Sequence, residues 1–191
     1  RTISNAENIL AKFTGEEVFP SDFAIYDLSQ FLSGISLFND PQLEFTSNDF
    51  VSIRGGRTSA KYYFSDPEIT LKSAPEKNVN FPGADLQFSL TGDDLIALQK
   101  ASAVYGLPDL TFQSEEGLDT IKLILRDKEN DTSNTYDLAV AGCTTGTYSL
   151  DVKIENIRLL PGDYSVKVSK HLISEWTNAN VDLTYYIALE P

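Results

Sequence analysis

Residues 86–112 limit the possible folds more than any other stretch, because they predict a strand, a capped helix and a second strand in succession. At the start of the stretch, apolar residues alternate with polar ones, which is typical of a half-buried strand. These apolar residues are Leu86, Phe88 and Leu90. Thr91 then precedes Asp94 by three residues, a spacing typical of a capping box. We therefore expect a helix to begin near Gly92.

The predicted helix has one apolar face and one mild outward face. The residues expected to face the core are Leu95, Leu98, Ala101, Ser102 and Tyr105. The residues expected to point away from it are Asp93, Ile96, Lys100 and Ala103. Gly106 and Pro108 are expected to end the helix before residues 110–112 resume an extended structure. The outward face therefore carries only one cation.

The plan of strand, helix and strand recurs in the chain. Residues 23–27 are interpreted as a strand that leads into a helix at 28–38. The core face predicted for that helix consists of Leu28, Phe31, Leu32, Ile35 and Phe38. A third unit is predicted further on: a strand at 148–154, a short helix at 155–160 and a return strand at 164–169. The recurrence of strand, helix and strand therefore predicts three such units in the chain.

A proline-rich segment divides the chain into unequal halves. Residues 65–83 contain three prolines and no sustained period, as expected for an extended linker. We predict a first domain at 1–64, the linker at 65–83 and a second domain at 84–191. Residues 1–4 and 9–13 are interpreted as a hairpin, so the chain begins in extended structure, and it contains no methionine. Because two domains of two units would need a fourth, we expect an N-terminal part to be missing before Arg1.

Composition excludes several classes of protein. The 28 acidic and 15 basic residues give a net charge of −13, which disfavours a nucleic-acid binder with a basic outer surface. It leaves open a protein that keeps its few cations on one concave surface. The single cysteine excludes an intramolecular disulfide, and no apolar run reaches the roughly 20 residues that cross a bilayer. We expect an intracellular protein without a membrane partner.

The residues that often carry chemistry do not form a catalytic pattern. His171 is the only histidine and has no partner at metal-ligand spacing, while Cys143 has no nearby base. Residues 127–134 have alternating oxygen ligands, but they lack the glycine and the final glutamate of a calcium loop. We therefore predict no enzyme activity, no catalytic residue, no metal site and no cofactor.

Five segments, taken together, resemble the DNA polymerase sliding clamps of T-even-like tailed phages, which are related to the proliferating-cell nuclear antigen ring. The resemblance covers nearly the whole chain in the right order and is closest to cyanophage-type members. The segments are DFAIYDLSQFLSGISLFNDP at 22–41, KYYFSDPEI at 61–69, LTGDDLIALQKASAVYGLPDL at 90–110, LLPGDYSVKV at 159–168 and YYIALE at 185–190.

The resemblance implies an α+β fold of the DNA clamp type, with two similar domains whose antiparallel sheets lie outside and whose helices line a central channel. It implies a homotrimer that joins head to tail as a ring around duplex DNA, without sequence specificity. A clamp must slide, so it is expected to make few contacts, directed at phosphate. Lys100 and Arg158 are the predicted DNA-binding residues, and Arg158 stands where the family carries a base before Pro-Gly.

The resemblance also implies protein partners, namely the replicative DNA polymerase and a clamp loader. Partner peptides of such clamps insert apolar anchors into a pocket between the domains. By that analogy, the predicted pocket residues are Ile3, Leu71, Ile187, Ala188, Leu189 and Pro191. The expected function is tethering of the polymerase for processive synthesis, in the cytoplasm of the infected bacterial host.

A rival hypothesis also fits the strand count and the tyrosines. It is an acidic, non-catalytic β-protein of a phage, either structural or carbohydrate-binding; an enzyme comes third. Ile3, Ile187 and Leu189 also have an alternative interpretation, as core residues of a sheet.

Overall fold

The computed structural model of the protein describes residues 1–70 and 74–191. Strands dominate these residues. The strands are β1 (Thr2–Ile3), β2 (Ile9–Phe13), β3 (Gln42–Glu44), β4 (Phe50–Gly55), β5 (Thr58–Tyr63), β6 (Leu86–Leu90), β7 (Asp109–Ser114), β8 (Thr120–Arg126), β9 (Tyr136–Thr144), β10 (Tyr148–Lys153), β11 (Tyr164–Ser169), β12 (Ile173–Asn178) and β13 (Leu183–Ala188). The helices are α1 (Leu28–Ser36), α2 (Pro67–Thr70), α3 (Gly92–Tyr105) and one turn of 3-10 helix, Ile154–Asn156.

The chain forms two compact units. The larger one contains Arg1–Thr14 and Ala74–Pro191, and the smaller one contains Gly15–Ser73. Residues 1–14, which we assigned to the first domain, are here strands of the larger unit's sheet, because β2 pairs with β13. This grouping does not decide the predicted division into 1–64, 65–83 and 84–191, which stays a prediction.

The larger unit contains one antiparallel sheet, in the order β1-β2-β13-β12-β11-β6-β9-β8-β7-β10. The predicted hairpin at the start of the chain is present as β1 and β2, with Thr2 opposite Ala11. Alternate residues of the central strands are buried, as the period of two predicts for β6. The core also contains Phe112, Tyr164 and Trp176. The rings of Phe112 and Tyr164 each contact the ring of Trp176. Helix α3 packs on β8 and β9.

Strand β9 changes partners at Gly142. Residues 142–144 pair with β6, whereas residues 136–141 pair with β8. A Cβ atom at Gly142 would lie 2.7 Å from the Gln87 carbonyl oxygen and 2.7 Å from the Ile121 Cδ1 atom, so only glycine fits at this bend. In the described part of the chain, no strand pairs with the second edge of residues 136–141.

The smaller unit contains the three-stranded sheet β3-β4-β5 and helix α1. Its buried core consists of Phe31, Val51 and Ile53. The predicted helix is confirmed, but its predicted core face is wrong in part, because Leu28 and Leu32 are 58% and 55% exposed. The strand predicted at 23–27 is also wrong, since only an isolated bridge between Ala24 and Ser65 forms there.

One further prediction fails in the larger unit, and one strand there was missed. The helix predicted at 155–160 is instead one turn of 3-10 helix, Ile154–Asn156, so the third strand–helix–strand unit has no α-helix.

Strand β12 was not predicted, because its buried side chains are mostly polar and hide the period of two. They are Ser174, Trp176 and Asn178. The Trp176 indole N–H donates to the Ser174 hydroxyl over 2.9 Å, and this hydroxyl donates to the Ile187 carbonyl over 3.1 Å. These bonds allow polar groups to lie inside the sheet.

Candidate functional site

Helix α3 is fixed at both ends. The Thr91 hydroxyl accepts a hydrogen bond from the Asp94 N–H over 3.2 Å, and the Asp94 carboxylate accepts one from the Thr91 N–H over 3.0 Å. This reciprocal pair is the predicted capping box, and it is confirmed. At the other end, Gly106 adopts a left-handed conformation with φ of 67°, which ends the helix as predicted. The helix therefore holds a defined outward face.

Most of the α3 residues that we predicted to face the core are buried. Leu95, Leu98 and Ala101 are buried. Ser102 is half-buried, and Tyr105 is half exposed rather than buried. All four residues that we predicted to point outward, Lys100 among them, are exposed.

Arg158 lies beside the outward face of α3. The Gln99 side-chain amide donates to the Ile157 carbonyl over 2.9 Å, which ties the helix to the segment that contains Arg158. A surface groove of about 550 Å³ runs between the two. Its lining residues are Gln99, Ser102, Ala103, Ile154, Glu155, Arg158 and Leu159. The structure therefore brings Arg158 to the same helix that carries Lys100, one residue beyond Gln99.

The charged side chains near this groove differ in whether they already form an ion pair. The Lys153 ammonium lies 2.6 Å from the Asp109 carboxylate, whose side chain is buried. Burial raises the pKa of Asp109, but the Lys153 ammonium and the Lys128 N–H outweigh burial and hold this pKa below its ordinary value. Within residues 1–70 and 74–191, neither Lys100 nor Arg158 takes part in an ion pair. Lys100 and Arg158 are therefore free to contact an anion.

A second cavity, of about 630 Å³, lies within the larger unit on the side of β1, β2, β12 and β13. We refer to it as the strap cavity, because residues 75–82 form one wall. It is lined by Ile3, Glu7, Asn8, Leu10, Pro75, Val79, Asn80, Pro82, His171, Leu172, Ile173, Tyr186 and Ala188. The Arg1 guanidinium donates hydrogen bonds to the carbonyls of Pro75 and Glu76 and to the Asn78 side chain, which anchors the start of this wall.

The structure places the predicted pocket residues in different environments. Ile3 and Ala188 line the strap cavity. Ile187 and Leu189 are buried in the core of the sheet, as their alternative interpretation proposed. Pro191 is exposed at the end of the chain and does not line the cavity, while Leu71 lies outside the described residues.

Several lining residues escaped the sequence reasoning. His171 and Leu172 belong to the turn between β11 and β12, and Ile173 begins β12; the turn could not be recognised while β12 itself was missed. The predicted return strand at 164–169 was a signal for β12, because such a strand needs a neighbouring strand to pair with. In the described part of the chain, no group of three or more His, Cys, Asp or Glu side chains could hold a metal ion. No helix there is long and apolar enough to cross a membrane.

Comparison with known proteins gives a consistent result. No protein-family model matches the chain. The chain is 32% identical to the sliding clamp of Vibrio phage KVP40 over 194 residues, which cover 100% of this chain and 86% of that protein. It is 26% identical to the sliding clamp of Enterobacteria phage T4 over 157 residues, which cover 78% of this chain and 66% of the T4 protein.

Two solved structures show the same fold. The PCNA2–PCNA3 complex of Sulfolobus tokodaii matches with a TM-score of 0.70 and 12% identity, over 100% of this chain and 85% of that chain. The PCNA of A. fulgidus bound to the C-terminal region of FEN-1 matches with a TM-score of 0.57 and 9% identity, over 79% and 64%. The predicted clamp fold is thus confirmed. Because the identity with the KVP40 protein exceeds 30% along the whole chain, the chain belongs to the family of phage sliding clamps.

Proposed function

We propose that three copies of the chain join head to tail into a ring, which encircles duplex DNA and tethers the replicative DNA polymerase. Membership of the sliding-clamp family is the observation that carries this proposal. A tether raises the effective concentration of the polymerase at the primer end, so processivity increases without any catalysis by the clamp. The ring is placed on DNA by a clamp loader and acts in the cytoplasm of the infected bacterial host.

The unpaired cations at α3 support the proposed DNA contact. Lys100 and Arg158 are exposed, and neither is neutralised by a carboxylate in the described residues. The net charge of −13 disfavours DNA binding to the surface as a whole, so two cations on one face give DNA a preferred side. Phosphate contacts of this kind carry no sequence information, which suits a protein that slides.

Two different sheet edges support the head-to-tail assembly. One is the second edge of residues 136–141 in β9, and the other is the outer edge of β5 in the smaller unit. We propose that the β9 edge of one copy pairs with the β5 edge of the next copy through backbone hydrogen bonds. Because the two edges differ, the contact is heterologous, and a rotation can close it into a ring.

The strap cavity supports the proposed contact with partner proteins. Its lining includes apolar side chains from β1, from β13 and from residues 75–82, among them Ile3, Ala188 and Val79. A peptide with apolar anchors matches such a lining. The complex of A. fulgidus PCNA with the C-terminal region of FEN-1 provides a precedent in a protein of the same fold. We propose that the C-terminal segment of the polymerase occupies this cavity.

The assembly is tested by sedimentation equilibrium. The expected native mass is three times that of the subunit. Ala139→Lys adds a charge to an exposed position of β9 and is expected to shift the mass toward one subunit, because charged side chains block edge pairing. The matched control is Ser29→Lys, at an exposed position of α1 outside both edges, which should leave the mass unchanged. A wild-type monomer at every concentration would refute the ring.

The DNA contact is tested by charge reversal. Lys100→Glu combined with Arg158→Glu should reduce processive synthesis and lower the slope of log affinity against log salt by about 1 for each phosphate that the variant no longer neutralises. The control combines Lys12→Glu with Lys122→Glu, which changes the net charge equally at exposed positions on strands. Equal effects of the two double variants would remove Lys100 and Arg158 from the DNA contact.

A further inference from the structure

The turn between β11 and β12 contains a residue in an unfavourable backbone conformation. Ser169 pairs with Ile173, so the loop of this hairpin has three residues: Lys170, His171 and Leu172. Hairpin loops of this length commonly end with a left-handed residue, for which glycine is preferred because it has no Cβ atom. Leu172 occupies that position with φ of 61°. Leucine in this conformation is strained, so an advantage of the side chain must offset the strain.

Hydrogen bonds hold the turn in place from both sides. The Leu172 N–H donates to the Ser169 carbonyl over 3.1 Å, and the Leu172 carbonyl accepts from the Leu189 N–H over 2.9 Å. The Asp85 carboxylate accepts from the Lys170 N–H over 2.8 Å and from the Ser169 hydroxyl over 3.3 Å. These bonds keep the strained conformation, because both peptide groups of Leu172 and the preceding residues are fixed.

The Leu172 side chain lines the strap cavity and is 37% exposed. It does not belong to the buried core cluster, so core packing does not explain the strain. Ile173, the next residue, pairs with Ala188, which lines the same cavity. The turn and β13 therefore form one continuous wall, to which Leu172 adds a large aliphatic surface.

We propose that Leu172 is a binding residue of the strap cavity, where its side chain contacts an apolar anchor of the partner peptide, and that Asp85 is the residue that positions it. This inference rests on the proposed function of the cavity as the site of the polymerase C-terminal segment. Glycine would relieve the strain but remove the apolar side chain. The presence of leucine thus favours binding over stability, as is common where function opposes a local rule.

The test measures binding of a fluorescent peptide that carries the C-terminal segment of the DNA polymerase encoded by the same genome. Leu172→Gly is expected to weaken binding about tenfold, while the midpoint of thermal unfolding stays equal or rises, because the strain is removed. Leu172→Asn is the second variant, since asparagine tolerates the left-handed conformation and keeps a side chain of similar length without its apolar surface. It is expected to weaken binding to a similar extent.

A third variant separates this inference from the proposed function. Ala188→Arg places a charge in the cavity wall at an exposed position and should abolish binding. If Ala188→Arg abolishes binding but both Leu172 variants bind as the wild type does, the role of Leu172 is refuted and the cavity stands. If Ala188→Arg also binds normally, or the wild type does not bind the peptide, the cavity itself is refuted.

The positioning role of Asp85 is tested by a double-mutant cycle. Asp85→Asn keeps the size of the side chain but weakens its hold on the turn, so it should reduce peptide affinity severalfold in the wild-type background. In the Leu172→Gly background, it should have no further effect on affinity, because the side chain that it positions is absent. Equal effects on affinity in both backgrounds would show that Asp85 acts independently of the Leu172 side chain and would refute its positioning role.

Discussion

Helices α3 and α1 follow the same sequence pattern, yet they lie in different environments. Both begin at a side-chain cap, formed by Thr91 in α3 and by Asp27 in α1. Helix α3 has 14 residues and buries Leu95, Leu98 and Ala101 against a large sheet. Helix α1 has 9 residues and buries only Phe31, whereas its leucines at 28 and 32 remain more than half exposed.

The difference shows what an amphipathic pattern predicts and what it leaves open. A period of 3.6 residues predicts that a helix forms, because it is a property of the segment itself. Burial of the apolar face depends on the neighbouring elements, which the segment does not specify. The larger unit provides a ten-stranded sheet beside α3, while the smaller unit provides three strands and a core centred on Phe31, Val51 and Ile53.

The largest expected contrast comes from matched leucine truncations. Leu98→Ala should lower the free energy of unfolding by about 3 kcal/mol, because it opens a cavity in a fully buried site. Leu32→Ala on the exposed side of α1 should lower it by about 0.5 kcal/mol or less. Urea unfolding followed by circular dichroism measures both. A loss at Leu32 as large as that at Leu98 would show that another surface covers α1 in solution.

Ion pairs give the second contrast. Lys153→Met removes the cation beside the buried Asp109 carboxylate and should lower the free energy of unfolding by about 2 kcal/mol. This is less than a fully buried pair would lose, because the Lys153 side chain is 29% exposed. Arg54→Met breaks the exposed pair with Glu44 in the smaller unit and should change stability by less than about 0.5 kcal/mol. Equal losses in urea unfolding would contradict the assigned difference in burial.

The helix caps give a smaller contrast. Thr91→Ala removes the hydroxyl from the capping box and should cost about 1 kcal/mol, whereas Thr91→Ser keeps the hydroxyl and should cost little. Asp27→Ala removes one bond, which the Asp27 carboxylate accepts from the Gln30 N–H over 2.8 Å, and should cost about half as much. Calorimetric unfolding of the three variants ranks them. The reverse order would show that α1 depends on its cap more than α3 does.

The last contrast concerns unfolding in acid. The pKa of Asp109 is lowered in the folded state, so its contribution to stability is present above its unfolded pKa of about 3.9 and is lost as the pH falls through the lower folded pKa. In Lys153→Met, the folded pKa of Asp109 rises, so most of this contribution is already absent at neutral pH and the variant enters the acid range with less stability. Fluorescence of Trp176, which lies in the larger unit, should therefore report a higher acid midpoint for Lys153→Met than for wild type, and Arg54→Met should leave it unchanged. An unshifted midpoint in Lys153→Met would contradict the coupling.

Local features of the chain were predictable where one segment contains the whole signal. The capping box of α3 and the alternation in β6 depend on neighbouring residues, and both predictions are confirmed. Strand β12 escaped because Ser174 and Asn178 occupy its buried face, where hydrogen bonds rather than apolar surface stabilise them.

The candidate site was predictable only in part. Lys100 could be placed on the outward face from helical spacing alone. The position of Arg158 beside α3 depends on a long-range hydrogen bond from Gln99, and the strained Leu172 depends on a turn whose second strand was not recognised. The spacing of residues along the chain predicts neither a long-range hydrogen bond nor a turn of this kind.

The most direct test of the proposed function compares retention on two forms of the same DNA. The clamp is placed on a nicked circular plasmid by its loader with ATP, and half of the sample is then linearised with a restriction enzyme. A ring that encircles DNA should remain with the circle through gel filtration at high salt and should be lost from the linear form by sliding off its ends. Equal retention on both forms would show that the protein binds the surface of DNA, and would contradict the encircling clamp.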